Sequence, residues 1–333
     1  MKIMKWILMA VLMVSSCSRD KNVVVVYTSE DQQFSQPVLK DFEKETGIQV
    51  KALYDTEETK STGILNRLIA EKNNPQADVF WSGDPMRSIL LKRKGITASY
   101  TPKNAQNIPK LFKDKEGHYT GFSARVRALI YNKNLLSKDQ LPKSILELTD
   151  PKWKNKVAIA NPLFGTTSFH IAALFIVMGD EKAKDYLLKL KANGLHILKS
   201  NGDVRRKVAS GQIPIGFTDS DDINVALLDH KSVGFIYPDE NGIGTLVMPN
   251  TVSLIKGSPN NQNAKLLIDY LISKKVELKL AQMECAQIPL LAGVHGPKGV
   301  LSIQSIQSMK IDYEAAAIKL TEILGFLKQW IED

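Results

Sequence analysis

A repeated alternation of strands, polar loops and helices constrains the fold of this chain more than any other feature. Four consecutive valines precede Tyr27, and such an unbroken apolar run predicts a strand that is buried on both faces, as in a parallel sheet. Polar residues follow at 28–31, and the apolar spacing predicts a helix over residues 37–46. A second helix is predicted over 64–72 and a further strand over 78–81. This pattern is typical of an α/β chain with a doubly wound sheet whose loops line one edge.

A strand predicted over residues 123–132 carries two arginines on one face. Alternation places Arg125 and Arg127 on the side opposite to Val126 and Ala128. Guanidinium groups that share one face of a strand need carboxylates or an anionic ligand as partners. The sequence therefore predicts that such groups lie against this strand.

Three carboxylates follow a short apolar strand at residues 213–217. They are Asp219, Asp221 and Asp222, and either of the last two is placed to cap the next helix. A capped and solvated turn explains one of these aspartates well and all three poorly. Because α/β proteins bind ligands where strands lead into helices, we predict a ligand-facing loop here.

Small and hydroxyl-bearing residues open the most apolar helix of the chain. Gly165, Thr166, Thr167 and Ser168 precede an apolar run over residues 169–178. The free N–H groups of a helix start, together with three hydroxyls, predict an anion site. The alternative is a simple N-cap, which needs only one hydroxyl.

The first residues predict export. Two lysines precede an apolar run at 6–14, which has the length of a signal-peptide core and is too short to span a bilayer. Residues 1–16 are therefore predicted to be a signal peptide. The Val-Ser-Ser-Cys sequence that follows the run resembles the bacterial lipobox, which implies an acylated Cys17, a tether over 17–22 and a periplasmic or cell-surface lipoprotein anchored to a membrane. The alternative is a plain secretory signal with an incidental cysteine.

The composition indicates a globular protein and argues against a nucleic-acid-binding one. With 44% apolar and 24% charged residues, a chain of 333 residues is long enough for two globular domains. The formal charge of +9 falls to about +7 without the signal peptide, and the lysines are scattered, which argues against a nucleic-acid partner.

Beside an acylated Cys17, Cys285 is the one remaining thiol, so we predict no intramolecular disulfide and a buried packing cysteine.

No catalytic motif supports an enzyme. The five histidines show no metal-ligand spacing, and neither an H-E-x-x-H nor a G-x-S-x-G sequence is present. We therefore expect neither an enzyme nor a resident cofactor.

The order of the motifs resembles the extracellular solute-binding proteins of ABC importers, in the subgroup that includes ferric-iron binders. The resemblance rests on VVVVYTSE, FEKETGI, ADVFWSGD and VASGQIPIG, in that order. It implies a type II periplasmic binding protein, in which two doubly wound α/β lobes are joined by two crossover strands, here near residues 122–126 and 247–251. Lobe 1 would comprise 23–123 plus 250–300, and lobe 2 would comprise 124–249 plus 301–333.

The resemblance also implies a set of ligand-binding residues on four loops. Glu30, Asp84, Asp219 and Asp221 would be the metal ligands, with the last two replacing a tyrosine pair found in ferric binders. Tyr27 or Tyr237 would be the alternative source of a phenolate. The full predicted set is Thr28, Ser29, Glu30, Ser82, Gly83, Asp84, Gly165, Thr166, Thr167, Ser168, Asp219, Ser220 and Asp221.

The function implied by the resemblance is ligand capture between the lobes and delivery to a permease. The ligand would be iron(III) or an iron–anion complex, carried as cargo and not as a cofactor. The alternative is a small organic amine, phosphate or phosphonate. The expected partners are the ABC permease and its ATPase subunits, the membrane through the lipid anchor, and no second copy of the chain.

Overall fold

The computed structural model of the protein describes residues 22–55 and 62–332. The predicted signal peptide and Cys17 lie outside the described residues. Within these two ranges no helix combines the length and the apolar character needed to cross a bilayer.

Strands and helices alternate along the described part of the chain. The strands are β1 (Val23–Thr28), β2 (Gln49–Tyr54), β3 (Val79–Ser82), β4 (Thr97–Ala98), β5 (Thr120–Asn132), β6 (Val157–Ala160), β7 (His196–Leu198), β8 (Ile215–Asp219), β9 (Val233–Ile236) and β10 (Val247–Ile255). The helices are α1 (Gln32–Thr46), α2 (Thr62–Ala70), α3 (Pro85–Arg93), α4 (Gly165–Met178), α5 (Asp180–Ala192), α6 (Asn201–Ala209), α7 (Ser220–Leu228), α8 (Asn261–Leu271), α9 (Lys274–Gln282) and α10 (Tyr313–Glu332).

The sheet confirms the predicted α/β class. Its strands lie in the order β2-β1-β3-β10-β5-β8-β6-β7, with β4 beside β10 and β9 beside β5. β1 pairs in parallel with β2 and β3, and β6 pairs in parallel with β7 and β8. The valines of β1 are buried on both faces apart from Val25, which is half-buried. Each parallel group therefore collects the loops after its strands at one edge, which positions the site described below.

Two long strands connect these parallel groups. Residues 120–126 of β5 pair antiparallel with β10, whereas residues 127–132 pair with β8 and β9. The pairing with β10 shifts register between Pro249 and Asn250, and the facing Ser123 has a φ of 42°. The chain thus bends where the crossover strands were expected. The exact lobe boundaries stay a prediction, and α10 packs against both α3 and α4.

Some local predictions needed correction. Helix α1 begins at Gln32, five residues before the predicted start, so that Pro37 lies inside the helix. The sequence pattern also missed α3 and α9. Cys285 is fully buried and its Sγ donates to the carbonyl of Leu280, which confirms the predicted packing cysteine.

Candidate functional site

A pocket of about 290 Å³ lies where three helices begin. Helix starts at Gly165, Asn201 and Ser220 border it, and the loop after β1 contributes Asp31. Each helix directs its unpaired N–H groups and the positive end of its dipole toward its first turn. The pocket is therefore suited to an anionic group.

The pocket lining also carries both signs of side-chain charge. Four lining residues are basic and four are acidic; they are Arg125, Lys199, Arg205, Arg206, Asp31, Asp219, Asp221 and Asp222. An apolar solute would leave these charges without partners, so the lining fits a ligand that is itself charged.

Arg125 bridges two carboxylates from distant parts of the chain. Its Nη2 donates to Oε2 of Glu30 in the loop after β1, and its Nη1 lies 2.9 Å from Oδ2 of Asp221 in the first turn of α7. Burial alone would lower the pKa of Arg125, but the charges of Asp221 and Glu30 outweigh burial and raise that pKa well above its usual value. The guanidinium group is therefore a permanent cation in the lining of the pocket.

Arg127 forms the second buried ion pair. Its Nη1 lies 2.7 Å from Oδ1 of Asp219, and its guanidinium group lies 4.6 Å from the ring centre of Phe217. The other oxygen of Asp219 accepts from the hydroxyl of Thr166 at 2.7 Å and from the amide of Asn201 at 3.1 Å. These contacts confirm the expectation that the two arginines on β5 face carboxylates.

Residues of the first two predicted loops lie behind the pocket wall. The hydroxyl of Thr28 accepts from the N–H of Glu30, and that of Ser29 accepts from the N–H of Gly83. A side chain at Gly83 would come within 3.0 Å of Oε2 of Glu30, so the two loops approach closely. The hydroxyl of Ser82 accepts from the N–H of Asp84. These polar groups hold the loops together.

Asp84 acts as a helix cap. Its Oδ1 accepts from the N–H groups of Met86 and Arg87 at the start of α3, and the residue is 1% exposed. Pro85 occupies the first helical position, as is common after an N-cap. Asp84 is not among the residues that line the pocket, because its carboxylate faces the backbone N–H groups at the start of α3.

The start of α4 is divided between the pocket and the interior. Gly165 lines the pocket. The hydroxyls of Thr166 and Thr167 contact the guanidinium group of Arg127, and that of Ser168 donates to the carbonyl of Gly165. The three hydroxyls therefore lie in a buried network, and direct contact with an anion stays a prediction.

The expectation that Asp221 or Asp222 caps α7 is wrong. The N-cap of α7 is Asp219, whereas Asp222 already lies inside the helix and accepts from the hydroxyl of Thr218. Ser220 accepts from the N–H of Val126.

Neither tyrosine offered as a phenolate source reaches the pocket. The hydroxyl of Tyr27 donates to Glu71, and Tyr237 lines a separate cavity beside β9. Burial raises the pKa of Tyr237 to about 12, so its phenol stays protonated at neutral pH.

Among the described residues, two groups of side chains place three candidate metal-ligand atoms within 4.8 Å of one another. The first is Asp219, Asp221 and Asp222 at the pocket. The second is Asp114, Glu116 and His118, but Lys92 lies 2.6 Å from Asp114 and supplies a positive charge there. Basic side chains contact both groups, and of the two only the first lies at the pocket.

Sequence reasoning missed the residues at the start of α6. Lys199, Asn201, Arg205 and Arg206 line the pocket or its buried wall. A signal was available, because Ser200 is followed three residues later by Asp203 and then by two arginines, which is typical of a capped helix start with basic residues on its surface.

Comparisons with known proteins agree with this architecture. The family model for bacterial extracellular solute-binding proteins matches residues 38–298. Iron uptake protein A1 of Synechocystis sp. is 26% identical over 304 residues, which cover 87% of this chain and 81% of that protein. A putative 2-aminoethylphosphonate-binding periplasmic protein of Salmonella typhimurium is 26% identical over 339 residues, which cover 96% of each.

The fold also matches a solved structure over nearly its full length. Iron-bound HitA from Pseudomonas aeruginosa superposes with a TM-score of 0.83 at 22% identity, covering 92% of this chain and 99% of HitA. This match confirms the predicted periplasmic binding protein fold. Because the family model spans well over half of the sequence, the chain belongs to the bacterial extracellular solute-binding proteins.

Proposed function

We propose that this protein is the solute receptor of an ABC importer, not an enzyme, and that it takes a solute carrying both a positive centre and an anionic group. The mixed lining of the pocket carries this proposal, since four basic and four acidic side chains surround the starts of three helices. The helix starts suit the anionic group, and the carboxylates suit the positive centre. The receptor acts as a monomer and delivers its solute to a permease with ATPase subunits.

An iron(III)–anion complex is the first candidate. Iron(III) is a hard cation that takes oxygen ligands, and oxygens of Asp219, Asp221 and Asp222 lie within 4.8 Å of one another. The relative named as an iron uptake protein supports this candidate. Each of the three carboxylates already contacts an arginine, so the iron is expected to arrive with anions of its own.

A small organic amine that bears a phosphate or phosphonate is the second candidate. Lys199, Arg205 and Arg206 come from one stretch at the start of α6, where a phosphoryl group would also meet free N–H groups. The relative named for 2-aminoethylphosphonate supports this candidate.

Isothermal titration of the purified protein decides between the two. The panel is ferric citrate, 2-aminoethylphosphonate, inorganic phosphate and simple amines. We expect ferric citrate or the aminophosphonate to bind, and phosphate or amines alone to bind far more weakly, because each satisfies only half of the pocket. Native mass spectrometry of protein purified without denaturation identifies any retained solute. Equal binding of all four probes, or of none with no retained solute, overturns the proposal.

The lobes of this receptor are proposed to follow the crossover strands. Residues 23–123 plus 250–300 form one lobe and 124–249 plus 301–333 the other. The bend at Ser123 and the register shift between Pro249 and Asn250 support these boundaries. Ligand capture would then close the lobes by a hinge motion at these positions.

Membrane attachment through Cys17 is a further part of the proposal. Replacing this cysteine with alanine removes the residue that would be acylated, so Cys17→Ala should release the protein from the membrane or leave the precursor uncleaved. Detergent partitioning of cell fractions, with Cys285→Ala as the control, measures this. Unchanged membrane retention of Cys17→Ala would argue for a different anchor.

A further inference from the structure

Arg125 occupies the space between two carboxylates that were predicted to bind a metal. Glu30 and Asp221 contact different nitrogens of its guanidinium group. All three residues are at most 4% exposed. A cation supplied by the protein itself therefore stands where a metal ion would have to enter.

Two buried amide side chains hold Glu30 and Arg125 in place. Gln287 donates from Nε2 to the second oxygen of Glu30 at 2.8 Å, and Asn250 donates to Oε1 of Gln287 at 2.7 Å. Oδ1 of Asn250 lies 3.4 Å from Nη2 of Arg125. Gln287 and Asn250 have no exposed surface. Because the partners are fixed, the guanidinium group cannot swing aside without breaking several buried hydrogen bonds.

Two other carboxylates at the pocket also pair with arginines. Asp219 pairs with Arg127 at 2.7 Å, and Asp222 lies 3.9 Å from Arg205. The contact to Arg205 is long and half-exposed, whereas those of Arg125 and Arg127 are buried and short. Of the two buried arginines, Arg125 lines the pocket itself.

We propose that Arg125 is a specificity-determining residue, a built-in cation that prevents bare metal ions from binding between Glu30 and Asp221. The inference rests on the proposed function in so far as this pocket is the solute site. It narrows the solute to one whose positive centre is covalently attached to its anionic group or enclosed by its own anions. Like-charge repulsion excludes a bare trivalent ion, while an enclosed or covalent cation can be accommodated farther from the guanidinium group.

Terbium(III), a hard trivalent ion that binds oxygen ligands, is the probe. Its luminescence is titrated against the whole purified protein without any solute, so the outcome does not depend on which solute the receptor carries. Arg125→Met removes the charge with little loss of length, and we expect it to bind terbium at least about tenfold more tightly than the wild type does. Arg125→Lys keeps the charge and should not show the gain.

Two further variants locate the effect. Adding Asp221→Asn to Arg125→Met should abolish the gained binding, whereas Arg93→Met, at an exposed position of α3, should behave as the wild type. A gain below twofold in folded Arg125→Met overturns the proposal.

A second arm uses only the wild type and Asp221→Asn, in case Arg125→Met does not fold. Tight terbium binding by the wild type that is lost in Asp221→Asn would show that a bare ion does enter beside Arg125, and this overturns the proposal. Wild-type binding that is weak and insensitive to Asp221→Asn supports it. Failure of the solute titrations alone would instead count against the proposed function.

Discussion

Replacing Arg127 with methionine should lower the free energy of unfolding by about 3–5 kcal/mol, the usual cost of leaving one partner of a buried ion pair uncompensated. Arg127 has no exposed surface and Asp219 is 3% exposed. Without the guanidinium group, the hydroxyl of Thr166 and the amide of Asn201 are the side-chain hydrogen-bond donors that the described residues leave to this carboxylate. Two neutral donors do not balance a buried charge, so the native state loses stability.

Urea unfolding followed by circular dichroism measures this loss. The double variant Arg127→Met with Asp219→Asn should recover much of the stability, because neither charge is then left unpaired. Arg93→Met makes the same chemical change at an exposed position and should stay within about 0.5 kcal/mol of the wild type. A double variant less stable than Arg127→Met would show that the pair is not the source of the effect.

Local patterns were sufficient to predict most of the fold. The valines of β1 and the apolar face of α1 are properties of a few neighbouring residues, so their periodicity can be recognised without the rest of the chain. The same holds for the two arginines of β5, whose shared face required carboxylate partners. Helix starts were less certain, as Pro37 shows, because proline in a first turn and proline inside a helix look alike in sequence.

The identity of each partner could not be predicted in the same way. Asp219 lies 92 residues from Arg127, and Glu30 lies 95 residues from Arg125. Nothing local distinguishes a carboxylate that binds a ligand from one that neutralises an arginine, since both are polar residues at strand ends. Asp84 is different, because the proline directly after it is a recognisable sign of a helix cap.

Whether a carboxylate binds a ligand or neutralises an arginine affects which ligand the pocket can take. Of the four carboxylates predicted as metal ligands, Glu30 and Asp221 contact Arg125, Asp219 contacts Arg127, and Asp84 caps α3. The carboxylates are present, but each of them already contacts an arginine or the start of a helix in the protein itself. We therefore expect the basic residues of α6, and not these four carboxylates, to decide which ligand the pocket binds.

Glu277 links strand β5 to the segment at Leu290 and Leu291 through three backbone N–H groups. Its carboxylate accepts from Ser123 at 2.9 Å, from Leu290 at 3.0 Å and from Leu291 at 2.7 Å, and the residue is fully buried. Ser123 is the residue of β5 with a φ of 42°, a conformation that costs free energy for a residue with a side chain. The hydrogen bond from its N–H therefore helps to hold the bend at which the lobes are proposed to move.

Glu277→Ala should consequently lower the free energy of unfolding by about 3 kcal/mol or more, since each buried N–H group that loses its acceptor costs about 1–3 kcal/mol. Urea unfolding measures the total, and hydrogen exchange should show faster exchange at the amides of Ser123, Leu290 and Leu291 than in the wild type. The control Glu322→Ala removes an exposed carboxylate of α10 and should change little. Wild-type protection of these three amides in Glu277→Ala would mean that other acceptors hold the bend, and the hinge would then have to be sought elsewhere along β5 and β10.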